Sequence, residues 1–205
     1  NIYDTLYSYQ NRIRHVLTAH EQGAAHAADG YARATGKTGV VFATSGPGAT
    51  NLVTGIATAF MDSIPMVAIT SNVANSLIGR DAFQEVYITG ITMPITKHNF
   101  FVNRVEDLAH AMREAFRIAQ TGRKGPVLVD VTKDVTAAMV AFEPCPTPSS
   151  NVALPKAERE EVEKAAAYLN QAKRPVIYCG GGVAASDAVQ ELHRLMEKGD
   201  IPVTY

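Results

Sequence analysis

Cysteine, net charge and long apolar runs are all scarce in this chain of 205 residues. Its two cysteines, Cys145 and Cys179, lack metal-site spacing and cannot form a disulfide framework. A formal net charge of -1, with scattered basic residues, gives no field that would gather DNA or RNA. No apolar run approaches the ~20 residues that cross a membrane. These absences predict no nucleic-acid or membrane partner and make a reducing cytoplasm the expected compartment.

Hydrophobic residues make up 46% of the sequence, which is enough for one full core and part of a second. From residue 13 to 134, short β-branched runs alternate with longer helical ones, a pattern typical of a parallel α/β sheet flanked by helices. Expected strands cover residues 13–17, 39–43, 65–70, 95–102 and 127–131; expected helices cover 22–35, 47–61, 85–89 and 105–120.

Three prolines and two serines mark residues 143–150 as part of an extended linker, and we divide the chain accordingly. The first domain covers residues 1–142 and the linker covers 143–155. Residues 156–205 form the beginning of a second α/β domain. In the second domain we expect helices at 158–172 and 187–198 and strands at 175–179 and 201–205. Because a βαβ unit that stops there cannot cover both sheet faces, we expect this domain to be truncated. The abrupt start at Asn1 leads us to expect that the first domain is clipped at its N-terminus.

Glu21 lies where the expected first strand meets an alanine-rich helix, among small residues. Burial raises the pKa of a carboxylate, and such an acid can exchange a proton with a ring nitrogen near neutral pH. The alternative is a charge that complements the dipole at the helix N-terminus. The residues alone leave both interpretations open.

Five motifs in order resemble the catalytic subunits of acetohydroxyacid (acetolactate) synthases, which depend on thiamine diphosphate. The resemblance runs from about Ile2 to Tyr205, and the ordered set is far more specific than any single motif. The motifs are His20–Ala24, Thr44–Asn51, Asp81–Glu85, Thr96–Asn99 and Gly125–Val135.

This resemblance assigns roles to particular residues. It implies that Glu21 is catalytic and bonds to the aminopyrimidine ring of the cofactor, assisting removal of the thiazolium C2 proton. It implies that Gln84 is catalytic and lines the approach to the cofactor with Phe83, and that Lys133 lies at the substrate channel. Without the resemblance, Phe83 and Gln84 would be interpreted as part of an anchored surface loop, and Lys133 as a solvated lysine at a strand end.

Other residues are expected to contact cofactors. Gly46 and Pro47 form a tight strand-to-helix turn of the kind that lines a ligand crevice in α/β folds, and by resemblance they face the thiamine cofactor. Arg123 matches an arginine that contacts FAD, although a solvated loop arginine is the alternative. The pattern Gly180-x-Gly182-x-x-Ala185 is a weak dinucleotide fingerprint. The histidines show no metal spacing; by resemblance, a third domain holds Mg²⁺ and the diphosphate.

The implied reaction decarboxylates pyruvate on thiamine diphosphate and joins the two-carbon unit to pyruvate or 2-ketobutyrate, in branched-chain amino acid biosynthesis. The resemblance also implies a homodimer or larger homo-oligomer and allows a regulatory small subunit. Rival interpretations are another thiamine-diphosphate carboligase or oxidase, such as the FAD-free catabolic acetolactate synthase, and a non-catalytic fragment or subunit. We expect the 205 residues alone to be inactive.

Overall fold

The computed structural model describes residues 1–142, 144 and 156–205. By its internal contacts the chain divides into two units, Asn1–Val152 and Ala153–Tyr205. Of the linker predicted at residues 143–155, only Pro144 is among the described residues. The rest of that linker, including Cys145, lies outside them, so the linker remains a prediction.

The first unit is an α/β fold, as predicted. Its helices are α1 (Ile2–Ser8), α2 (Glu21–Thr35), α3 (Pro47–Asn51), α4 (Val53–Met61), α5 (Ile88–Thr92), α6 (Val105–Gln120) and α7 (Lys133–Ala137). Its strands are β1 (Gly39–Ala43), β2 (Met66–Asn72), β3 (His98–Val102) and β4 (Pro126–Thr132), with 3-10 turns at Asn75–Leu77 and Met93–Ile95.

These strands form one parallel sheet in the order β1–β2–β4–β3. Alternate residues of β2 and β4 point to opposite faces, so each face has its own core. Ala68 and Leu128 pack with buried residues of α2 and α4, whereas Val67 and Val129 pack with buried residues of α6. Because the strands are parallel, their carboxyl ends meet at one edge, which is where α/β folds bind ligands.

The strand predicted at residues 13–17 is wrong. Ile13 lies in a bend, and the next residues, through Thr18, have no regular secondary structure. Ile13, Val16 and Leu17 are exposed. A β-branched run becomes a strand only where a neighbouring strand takes up its hydrogen bonds, and among the described residues this segment pairs with none.

Smaller differences concern element boundaries. The helix expected from Pro47 to residue 61 is broken at Leu52 into α3 and α4. The short helix expected at 85–89 begins instead at Ile88, and β2 extends to Asn72. The short helix α7 was not predicted; it follows β4 directly.

The second unit contains α8 (Arg159–Gln171), β5 (Ile177–Tyr178), α9 (Gly182–Ala185), α10 (Val189–Gly199) and β6 (Val203–Thr204). Its two short strands pair in parallel, which agrees with the predicted order of helices and strands. Across the described residues of both units, no helix is both long enough and apolar enough to span a membrane.

Candidate functional site

The candidate site in the first unit begins with the turn after β1. Gly46 has φ 62° and ψ -120°, a conformation that an L side chain rarely adopts, and Pro47 opens α3. A Cβ atom on Gly46 would lie 2.8 Å from Cβ and 2.9 Å from Cα of Gln84. Glycine therefore lets the backbone of Gln84 rest directly against this turn, so the structure brings Gly46, Pro47 and Gln84 together.

Glu21 reaches the same turn from the N-terminus of α2. The Asn51 side-chain amide donates a hydrogen bond of 3.0 Å to Glu21 Oε2. A Cβ atom on the buried Gly48 would lie 2.7 Å from the Thr44 methyl group and 3.3 Å from Oε1 of Glu21, so glycine lets this turn pack closely against both residues. Glu21 and Gln84 therefore both lie against the turn that begins at Gly46, at the carboxyl edge of the sheet. Asn51, which ends the Thr44–Asn51 motif, was not identified from the sequence as a partner of Glu21.

The pKa of Glu21 lies below its ordinary value in this structure, which is the opposite of the rise that full burial would give. The hydrogen bond from Asn51 is the largest influence on the pKa of Glu21, and a backbone N–H bond adds to it; both hold the pKa below its ordinary value. Burial opposes them but is weaker, because the side chain is only partly buried. Glu21 is therefore a carboxylate that accepts hydrogen bonds, at the positive end of the α2 dipole.

The loop that carries the next predicted residues runs from Gly79 to Glu85, and we call it the Gln84 loop. Phe83 is 88% exposed, while Gln84 is partly buried with φ 61°. The Glu85 carboxylate accepts hydrogen bonds from the backbone N–H groups of Gly79 and Ala82. Phe83 thus points into solvent within the first unit, beside a residue whose backbone contacts the Gly46 turn.

Lys133 lies at the same edge, since it directly follows β4, and its side chain is exposed. Two residues before the end of that strand is Asp130, which is only 1% exposed. Its carboxylate accepts hydrogen bonds from the Thr70 hydroxyl at 2.7 Å and from the Asn72 amide at 2.6 Å. Burial is the largest influence on the pKa of Asp130 and raises it to about 6 despite these two bonds.

Sequence reasoning missed this buried polar group. A signal was present, because Asp130 interrupts the apolar run Val127–Val131 of a strand that is covered on both faces. Alternation along β4 places it on the same face as Leu128, which is the face that carries α2.

Arg123 lies elsewhere. It precedes β4, at the amino edge of the sheet, and its guanidinium donates to Ser63 Oγ at 2.7 Å and to the Met61 carbonyl at 3.3 Å. It is exposed. The structure therefore separates Arg123 from Glu21, Gln84 and Lys133.

The glycine turn of the second unit leads into α9, which begins at Gly182. A Cβ atom on Gly180 or Gly182 would meet no other atom within 4 Å. Neither glycine is therefore required by packing within the described residues. Over the same residues there is no cluster of three or more His, Cys, Asp or Glu side chains that could hold a metal ion.

Two family models match the chain. Residues 1–91 match the model described as "Thiamine pyrophosphate enzyme, N-terminal TPP binding domain", and residues 162–205 match "Thiamine pyrophosphate enzyme, central domain". The first match contains Glu21, the Gly46 turn and Gln84. The chain belongs to the thiamine pyrophosphate enzymes.

Within this class, the chain is a homologue of acetolactate synthase large subunits. It is 54% identical to the acetolactate synthase large subunit of Corynebacterium glutamicum, over 98% of this chain and 32% of that protein. It is 51% identical to the acetolactate synthase isozyme 1 large subunit of Escherichia coli K12, over 99% of this chain and 36% of that protein. A probable acetolactate synthase large subunit of Methanocaldococcus jannaschii is 51% identical over 98% of this chain and 34% of its own length. The chain thus spans about a third of the length of these relatives.

Proposed function

We propose that these residues belong to an acetolactate synthase, which decarboxylates pyruvate and condenses the two-carbon unit with pyruvate or 2-ketobutyrate. The observation that carries this proposal is the partly buried Glu21 carboxylate, held by Asn51 at the carboxyl edge of the sheet and packed against the glycine turn at Gly48. Identity of about half with acetolactate synthase large subunits supports it. We place the activity, and the branched-chain amino acid biosynthesis it serves, in the longer protein to which this segment corresponds.

The residues around Glu21 fit the aminopyrimidine ring of thiamine diphosphate. A planar ring needs access to the carboxylate, and the Glu21 side chain is only partly buried, while the tight packing of Gly48 against Thr44 and Glu21 fixes the turn beside it. Glu21 would accept a hydrogen bond from a ring nitrogen, with Gly46 and Pro47 bordering the ring. When bound, thiamine diphosphate supplies an acidic carbon that becomes the nucleophile toward a 2-keto acid.

The remaining roles of the chain concern protons, access and charge. A ring that covers Glu21 would exclude water from it, and this burial would raise its pKa against the hydrogen bonds that hold it below its ordinary value here. Glu21 could then hold a proton at a carboxylate oxygen and return it. Gln84 and Phe83 would line the approach of the keto acid, and the exposed Lys133 would attract its carboxylate.

FAD, Mg²⁺ and the partners complete the proposal. Arg123 suits the anionic oxygens of FAD, because a guanidinium binds such groups through paired donors. We place Mg²⁺ and the diphosphate on another part of the protein. The relatives' description as large subunits supports a regulatory small subunit, and we propose a cytoplasmic homodimer or larger homo-oligomer.

The test uses the full-length protein with thiamine diphosphate, Mg²⁺, FAD and pyruvate, and measures acetolactate. We expect turnover in the wild type, a flavin spectrum in the purified protein, and a loss in Glu21→Gln. Glu160→Gln, a change of the same kind at an exposed glutamate of α8, is the matched control. Acetolactate without bound flavin would favour the catabolic enzyme, and no turnover at all would favour a non-catalytic subunit.

A further inference from the structure

One carboxylate organises the Gln84 loop. The backbone N–H of Gly79 donates to Oε1 of Glu85, and the N–H of Ala82 donates to Oε2 at 2.9 Å. The backbone N–H of Glu85 itself donates to the Ala82 carbonyl, also at 2.9 Å. The loop is therefore closed by the side chain of its last residue, and each carboxylate oxygen is used by a different N–H.

The conformation of this loop requires such support. Gly79 has φ 76°, Asp81 has φ 52° and Gln84 has φ 61°. The last two are L residues in the left-handed region, where the Cβ atom crowds the backbone. Strained residues persist only where the surrounding structure holds them in place. The contacts with Glu85 on both sides of Asp81 and next to Gln84 are suited to that task.

The loop also sets the position of Gln84 relative to the Glu21 site. The backbone of Gln84 rests against Gly46 so closely that a Cβ atom on the glycine would lie 2.9 Å from the Gln84 carbonyl oxygen. Gly46 starts the short turn that carries Gly48, beside Glu21. If the loop opened, Gln84 and Phe83 would move away from this turn while Glu21 and Asn51 would keep their contact.

We propose that Glu85 is a positioning residue, whose ionised carboxylate holds the Gln84 loop closed so that Gln84 and Phe83 stay at the Gly46 turn. This inference rests on the proposed function, because it gives Gln84 and Phe83 a role in the reaction. The two N–H donors also hold the pKa of Glu85 below its ordinary value, so the carboxylate is ionised at neutral pH. The carboxylate is essential to the role, because the amide of glutamine would present a donor to one of the two N–H groups, and the negative charge strengthens both hydrogen bonds.

The test compares Glu85→Gln, Glu85→Asp and the control Glu160→Gln in the full-length protein. The first readout is hydrogen exchange of the backbone amides in the peptide covering residues 79–85. We expect exchange in Glu85→Gln to be roughly tenfold faster or more, since hydrogen bonds to a charged group are lost. Glu85→Asp keeps the charge and should retain more protection, while the control should match the wild type.

The second readout separates the loop from the Glu21 site. In Glu85→Gln, kcat/KM for acetolactate should fall by roughly tenfold to a hundredfold, as expected for a misplaced group, while exchange of the cofactor C2 proton stays at the wild-type rate. Faster amide exchange with unchanged kinetics would overturn the positioning role, and equal losses in Glu85→Gln and Glu85→Asp would overturn the role of charge. A wild type that makes no acetolactate would instead contradict the proposed function, and with it the catalytic part of this inference.

Discussion

Asp130 should make the stability of the fold depend on pH in an unusual direction. It is an acid buried in the central strand β4, with its carboxylate bonded to Thr70 and Asn72. Burial outweighs these bonds and raises its pKa from 3.8 to about 6. The folded protein therefore binds this proton more tightly than the unfolded chain does.

The direction and the size of the change in stability with pH follow from this difference in pKa. Below about pH 4 the acid is protonated in both states, and its contribution to stability is fully present. As the pH rises from about 4 to about 6, the unfolded chain releases the proton first, so the folded state loses stability. A shift of about two pKa units corresponds to about 3 kcal/mol at neutral pH, as an upper limit.

The perturbation is Asp130→Asn, which keeps the shape and cannot ionise. Thr70 can turn its hydroxyl to accept from the new amide, while Asn72 continues to donate to the amide oxygen. Urea unfolding of wild type and variant at several pH values between 4 and 7.5 gives two free energies of unfolding. We expect the variant to gain about 3 kcal/mol relative to the wild type across this range, at most.

Only the difference between the two proteins enters this test. The carboxyls of Glu21, Glu85 and Glu114 have lowered pKa values and act in the opposite direction, but they are common to both proteins and cancel. If the difference in free energy of unfolding between variant and wild type is the same at every pH, the substitution has changed packing alone. That result would refute the claim that Asp130 is an acid of raised pKa.

Two further predictions concern other parts of the first unit. Arg123→Ala in the full-length protein should weaken FAD binding by about 1.5–3 kcal/mol in a calorimetric titration. The control Arg104→Ala changes an exposed arginine beyond the end of β3 and should leave FAD binding unchanged. Equal FAD affinities for wild type and Arg123→Ala would show that Arg123 is a solvated loop residue. Gly46→Ala should lower the free energy of unfolding by about 1–3 kcal/mol, because its Cβ atom would meet Gln84 at 2.8 Å. Gly30→Ala, at an open position within α2, should raise the free energy of unfolding by roughly 0.5–1 kcal/mol. Urea unfolding measures both variants, and equal effects of the two substitutions would contradict the packing described at Gly46.

Much of the fold could be predicted from local patterns. Helix α6, with apolar residues on one face, has the predicted bounds Val105–Gln120, and α2 ends at Thr35 as predicted, where Gly36 follows in the left-handed conformation. Strand β1 also has its predicted bounds. The strand prediction at residues 13–17 was wrong because a strand depends on a neighbouring strand, which the local sequence pattern does not reveal.

The site could be predicted only in part. The motifs identified Glu21, Gly46 and Gln84, and the structure brings them to one turn. The residues left two interpretations of Glu21 open, and the lowered pKa could not be predicted because it depends on Asn51, which lies 30 positions away in the sequence. The hydrogen bonds of Asp130 depend on strand register and those of Glu85 on loop closure, which the motifs do not reveal, although the interruption of an apolar strand was a signal for Asp130.

The central claim is that Glu21 is the proton partner of the aminopyrimidine ring. The most direct measurement is exchange of the thiamine diphosphate C2 proton, followed by NMR, in full-length wild type, Glu21→Gln and the control Glu160→Gln. We expect exchange in Glu21→Gln to be slower by a factor on the order of 10²–10⁴, with the fold intact and the control unchanged. An exchange rate in Glu21→Gln equal to that of the wild type would contradict the account.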